Sequence, residues 1–159
     1  MVLPGSIPLF TRMRREIPNA QTPDIPPASA QRAIELNHKK YPLAELRRPP
    51  TGQYNCHGMT FASRRTGIHD PDAVKMILQD DGYKEITAAG AWLGDIAVLC
   101  EGEEVAHTGV VIRIIVDDTL IGGRAIWIMS KWGGAAEYVH PVAYGPYDNC
   151  RITYWTERP

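Results

Sequence analysis

No apolar run in this chain approaches the ~20 residues a membrane-spanning helix requires, so no membrane span is expected. A surplus of one charge is also missing: 17 basic and 18 acidic residues leave a net charge of −1, which argues against a generic nucleic-acid binder. The basic groups that occur, around Arg12, Arg47 and Arg64, read as solvated surface. Cysteine is scarce and odd in number (Cys56, Cys100, Cys150), which does not read as a disulfide framework. C-x-x-C is absent, and a metal site from Cys56, His57 and His69 would match no standard tetrahedral spacing, so neither metal nor cofactor is expected. Residues 1–10 lack a charged start followed by an apolar run. No secretory signal is therefore expected, and the chain reads as cytoplasmic when synthesised; action elsewhere would need non-classical export or release.

What is present fits one domain: 159 residues, 44% hydrophobic, enough for a real core. Residues 1–27 carry Pro4, Pro8, Pro18, Pro23, Pro26 and Pro27, a density that blocks helix and ladder alike. They read as an extended arm, wrapped on the domain or loose, and as a candidate surface for a protein partner. The domain proper is expected over 28–159. Ser29 is expected to cap a helix over 30–40, a second helix to run from Cys56 to about Arg65, and a third to start at Pro71 with Asp70 as cap and end at Gly82. Thereafter the period changes. Segments 83–87, 95–100, 105–116, 125–132 and 151–156, rich in Val, Ile, Tyr and Trp, are expected as strands, with a hairpin turn between Asp117 and Gly123. Helices followed by antiparallel strands make an α+β domain.

The chemistry centres on Cys56 and His107. Cys56 lies between Asn55, a good helix cap, and the small Gly58, so its thiol sits in the first turn of a helix. Unpaired N–H groups there favour thiolate. An imidazole from another element would complete a nucleophile and base pair. His107 heads the strand that reads most clearly as one. Counting back from the hairpin centre sets His107 opposite Ser130, Lys131 or Trp132. Alternation groups Ser130 with Ile126, Ile128 and Trp132, making Ser130 the expected third group orienting the imidazole, with Glu137 and His140 in reserve. Lys131 is a poor orienter of an imidazole that must become cationic. Tyr54 and Gln53 are the expected oxyanion or substrate contacts, with Trp132 beside them. His57 should point ~100° away from the thiol on a helix, as a structural group or substrate contact. The competing reading leaves Cys56 as inert packing.

Three segments resemble, in order, motifs of the NlpC-type papain-like cysteine peptidases and their CHAP amidase relatives: Tyr54-Asn55-Cys56-His57-Gly58-Met59-Thr60, Gly94-Asp95-Ile96-Ala97-Val98, and Ala106-His107-Thr108-Gly109-Val110-Val111-Ile112. The resemblance covers about residues 50–132. It implies a papain-like core with N-terminal helices on an antiparallel sheet of about 4–6 strands. It also implies a thiol hydrolase that cuts a peptide or cell-wall peptide amide bond through a Cys56 thioester, with a peptide or peptidoglycan-like substrate. Relatives also work as deamidases, acyltransferases and toxins; an effector, toxin, phage-associated protein or cytoplasmic amidase fits best here. Asn55 and His57 depart from the family's Asp and Ser. Its third polar residue, often a histidine on the next strand, is not a histidine here; Ser130 stands in roughly that place. That departure keeps alive a non-catalytic binding module on the same scaffold.

Overall fold

The computed structural model describes residues 5–159; residues 1–4, with Pro4 of the arm, lie outside them. Three helices, α1 (Pro27–Lys40), α2 (Cys56–Phe61) and α3 (Pro71–Asp80), accompany seven strands: β1 (Glu45–Arg48), β2 (Lys84–Ile86), β3 (Ile96–Glu101), β4 (Glu104–Val116), β5 (Arg124–Lys131), β6 (Glu137–Pro141) and β7 (Arg151–Thr156). The strands form one antiparallel open sheet in the order β1-β6-β5-β4-β3-β7-β2. The α+β class is as expected.

Alternation along β3 and β4 gives the sheet two apolar faces. Ala97, Leu99 and Val111 join Ile126, Ile128 and Tyr154 on one. Ile96, Val98, Cys100 and Val105 pack under Val74 and Leu78 of α3 on the other, the helix face. The arm closes the helical layer: Leu9 and Ile17 are buried with Ala62, Ile68, Ala73 and Ile77. Its backbone is paired as it goes, Ala20 with Gly67 (3.0 and 3.1 Å) and the Thr22 N–H with the Gly52 carbonyl (2.9 Å). The arm is therefore wrapped.

Three expectations need correction. The sheet has seven strands rather than 4–6, because β1 and β6 carry little strand signal. All four residues of β1 are exposed, so no alternation marks it; β6 holds Glu137 and Pro141, and its sequence reads as loop. Ser29 caps nothing: α1 starts at Pro27, and none of its residues is fully buried. Finally, α2 stops at Phe61, short of Arg65, since Ser63 and Arg64 take positive φ (51° and 64°) and turn the chain back across the sheet.

Candidate active site

The segment carrying Cys56 is pinned from four directions. Asn55 Oδ1 accepts the N–H of Gly58 (2.9 Å) and of Ile68 (3.0 Å), while its Nδ2 donates to the Ile68 carbonyl (2.7 Å). One side chain thus caps α2 and ties it to the returning chain. Gly58 lies against that chain so closely that a Cβ would fall 1.8 Å from the Thr66 carbonyl oxygen. Asp24 of the arm accepts from the Thr51 hydroxyl (2.8 Å) and the Gly52 N–H (2.6 Å). The Tyr54 hydroxyl donates to Glu137 Oε1 of β6 (2.5 Å).

Held this way, Cys56 forms part of the wall of a cleft of about 400 Å³ with Tyr54, His57, Ala106, Gly133 and Tyr147. The side chain is 6% exposed. Burial pushes the thiol up to about 11, against the pull of the backbone N–H groups of Thr108, His57 and Cys56 itself and of the Lys131 charge. Register explains how Thr108 comes to be there. The β4–β5 ladder ends at Val110 opposite Met129, and beyond it Thr108 has no ladder partner on β5 and turns its hydroxyl to His57 beside the sulfur.

His57 does not turn away as helical spacing suggests. Its Nδ1 lies 3.6 Å from Cys56 Sγ and 2.8 Å from Thr108 Oγ1. Both side chains turn toward β4, where the threonine hydroxyl anchors the ring. Burial, then the neighbouring His69, lowers His57 to about 4, so the ring is neutral. A ring nitrogen offers one lone pair or one proton. At the shorter distance Thr108 claims it, which leaves the sulfur a secondary contact.

His107 is fully buried, and neither of its ring nitrogens has a hydrogen-bond partner. It pairs with Leu99 across β3, and its side chain shares that face of the sheet, whereas Thr108 pairs with Val98 and takes the helix face. Tyr147 stacks flat on the His107 ring (3.8 Å between centroids, 8° between planes) and also lines the cleft beside Cys56. No hydrogen bond joins His107 to Cys56. Burial, then His140 and His57, holds the His107 pKa well below its ordinary value.

Ser130 is on the His107 face, as alternation requires: a Cβ on Gly109 would come 3.2 Å from the Ser130 Cβ and 2.8 Å from Ile128 Cδ1. Its hydroxyl, however, contacts His140 Nε2 (2.7 Å), so Ser130 orients His140 and not His107. Trp132 also points into that cluster, donating Nε1–H to His140 Nε2 (3.3 Å), and is 5% exposed away from the cleft. The expected substrate role of Trp132 is corrected accordingly. Tyr54 contributes its ring to the cleft wall, but Glu137 takes its hydroxyl, which therefore cannot serve an oxyanion. Gln53 is exposed and outside the cleft lining.

The sequence reading passed over the charge beneath the cleft. Lys131 is fully buried, with Nζ donating to the Gly133 carbonyl (2.6 Å) and lying 5.2 Å from the Tyr54 ring centroid. Glu137, also fully buried, accepts from Arg64 Nε (2.6 Å) and the far nitrogen of the same guanidinium (3.1 Å). Thr108 could have been found by alternation, since it is the neighbour of His107 on the face opposite. Glu137 was in reserve only as an orienter of His107, and its pairing with Tyr54 and Arg64 was hidden because β6 was not legible. Among the described residues no cluster of three or more His, Cys, Asp or Glu side chains could hold a metal ion. In comparison with known proteins, no family model, no curated protein and no solved structure matches this chain.

Proposed function

We propose that this chain is a thiol hydrolase of amide bonds on a papain-like scaffold, with Cys56 as nucleophile and His107 as base. The observation that carries the reading is the setting of the sulfur: it sits in a cleft wall at the first residue of α2, among the unpaired N–H groups of a helix start, with an imidazole nitrogen 3.6 Å away. Such donors stabilise a thiolate as it forms, and they need no rearrangement to do so.

Two imidazoles are candidates for the base: His57, which touches the sulfur, and His107, which lies on the other face of β4 and is linked to the cleft by Tyr147 stacked on its ring. His57 is the contact, but Thr108 occupies its nitrogen. His107 has both nitrogens free and precedes, on β4, the threonine that anchors the His57 ring. A buried imidazole with no partner is costly, and native proteins seldom keep one without a use. Neutral at ordinary pH, it is in the form that accepts a proton. His57 then serves as the group that fixes the sulfur.

In the reaction Cys56 Sγ bonds to the substrate carbonyl carbon, and the thiol proton passes to His107. The C–N bond breaks as His107 returns that proton to the leaving amine, leaving a thioester. Water, giving its proton to His107, cleaves the thioester and restores the thiol. The substrate class is a peptide or peptidoglycan-like amide. The reading is tested by incubating the protein and its Cys56→Ala variant with peptide and muropeptide mixtures. Cleavage by the first and none by the second is expected, together with a Cys56 acyl adduct in intact-mass spectra. Cleavage that survives Cys56→Ala would overturn the assignment.

A further inference from the structure

We propose that Lys131 is the counter-charge of the Cys56 thiolate, a positioning residue whose buried ammonium stabilises that thiolate beneath the cleft as the thiol gives up its proton. The proposal deepens the hydrolase reading and rests on it.

A buried ammonium is expensive unless paired. Lys131 has no exposed surface and one hydrogen bond, to the Gly133 carbonyl at 2.6 Å. Among the described residues no carboxylate stands within ion-pair distance of its Nζ. The carboxylates that face it are engaged elsewhere: Glu137 on β6 by Arg64 and Tyr54, Asp24 on the arm by Thr51 and Gly52. Cys56 is the foremost of the groups with which it interacts electrostatically, ahead of Glu137 and Asp24.

Topology explains the meeting. Lys131 is two residues past Met129 on β5, and Thr108 is two residues before Val110 on β4, so continuing the Val110–Met129 register sets them opposite each other. Met129 faces α2, since the Arg64 guanidinium touches its sulfur (3.7 Å). Lys131 shares that face, beside the loop bearing Tyr54 and Cys56. Burial is the main influence on the ammonium and lowers it to about 8, while Cys56 works in the opposite sense. The other titratable groups around the sulfur are His57 on α2, His69 before α3, Glu104 and His107 on β4 and Tyr147 from the loop before β7. His57 and His107 are neutral at neutral pH by the shifts described. Lys131 is the fully buried positive charge available to the thiolate. It keeps its own protons throughout; the thiol proton leaves through His107.

The test follows alkylation of Cys56 by iodoacetamide from pH 6 to 10, read peptide by peptide. Lys131→Met and Lys131→Gln should lower the rate across this range, by about ten-fold at pH 7.5, as a rise of about one unit in the thiol's midpoint would. Lys131→Arg should restore most of it. Profiles for Met and Gln that coincide with the parent's would overturn the proposal and leave the hydrolase reading standing. A second measurement needs no variant. In the parent protein with 13Cε-labelled lysine, blocking the sulfur with iodoacetamide should lower the Lys131 titration midpoint; an unchanged midpoint overturns the proposal. Absence of any Cys56-dependent cleavage would instead remove the hydrolase reading while the effect of Lys131 on the sulfur remained.

Discussion

Tyr54 and Glu137, 83 positions apart in the sequence, meet in a 2.5 Å hydrogen bond with the phenol as donor. The bond joins the loop before the candidate nucleophile to β6, and Arg64, just past α2, closes the same carboxylate from the other side at 2.6 Å. Both ends of the Cys56 helix are therefore fastened to one buried acid. Burial first, and then that acid, pushes Tyr54 up to about 12, so the phenol keeps its proton and remains a donor.

Removing the carboxylate should be severe. Glu137→Ala leaves Arg64 with no partner and Tyr54 with an unsatisfied hydroxyl, and breaking a buried pair of this kind costs about 3 kcal/mol or more. Urea denaturation measures it; a loss under about 1 kcal/mol would show that the network holds nothing together.

The two imidazoles near Cys56 should separate in kinetics. His107→Ala should lower kcat by 10²- to 10⁴-fold, roughly what general-base catalysis contributes. His57→Ala should cause a smaller fall in kcat, because Thr108 and the backbone N–H groups remain. Steady-state rates on the cleaved substrate decide. The reverse order would make His57 the base.

Acid should weaken the fold before its carboxylates titrate. His57 is held near 4, against 6.5 unperturbed, chiefly by burial, and His107 and His140 are shifted the same way. Between those values the unfolded chain takes up protons that the folded chain refuses, so stability rises with pH there. It is fully present above about 6.5 and is lost as pH falls toward 4, with His57 alone accounting for roughly 3 kcal/mol. Chemical denaturation from pH 7 to 4.5 tests the slope, and His57→Asn should flatten it.

Gly58→Ala should fail where Gly90→Ala succeeds. The added Cβ would meet the Thr66 carbonyl at 1.8 Å, backbone against backbone, and neither side can give way without moving α2. A loss of more than about 3 kcal/mol is expected, as for severe overpacking. Gly90→Ala, whose nearest obstacle is the Thr87 hydroxyl at 3.5 Å, is the tolerant control. Circular dichroism melts compare them.

Where one local signal decided the outcome, the sequence was readable. Asp70 before Pro71 placed the start of α3, and the β-branched run through Val111 placed β4 and its turn. Asn55 was legible as the cap that sets Cys56 at a helix start. Orientation across elements was harder. Whether His57 or His107 contacts the sulfur depends on which face of β4 each of two adjacent residues takes, and a β-bulge between Leu99 and Cys100 lies just before them. A one-residue slip exchanges the faces of a strand. The role of Ser130 was misread because its partner, His140, sits on β6, a strand set by tertiary pairing with β1 and β5 and not by its own composition.

The wrapped arm imposes an order on folding. Leu9 and Ile17 emerge from the ribosome first, yet their cover is Ala62 through Ile77, and the Asp24 that grips Gly52 waits for chain made later. The Cys56 segment waits again, for Glu137. A nascent chain would therefore carry a thiol that is ordinary until most of the protein has been synthesised. Contacts this distant in sequence form slowly, since loop closure precedes their reward. Reactivity at Cys56 would then report completion of the fold more faithfully than helix content, which α1 and α3 supply early and locally.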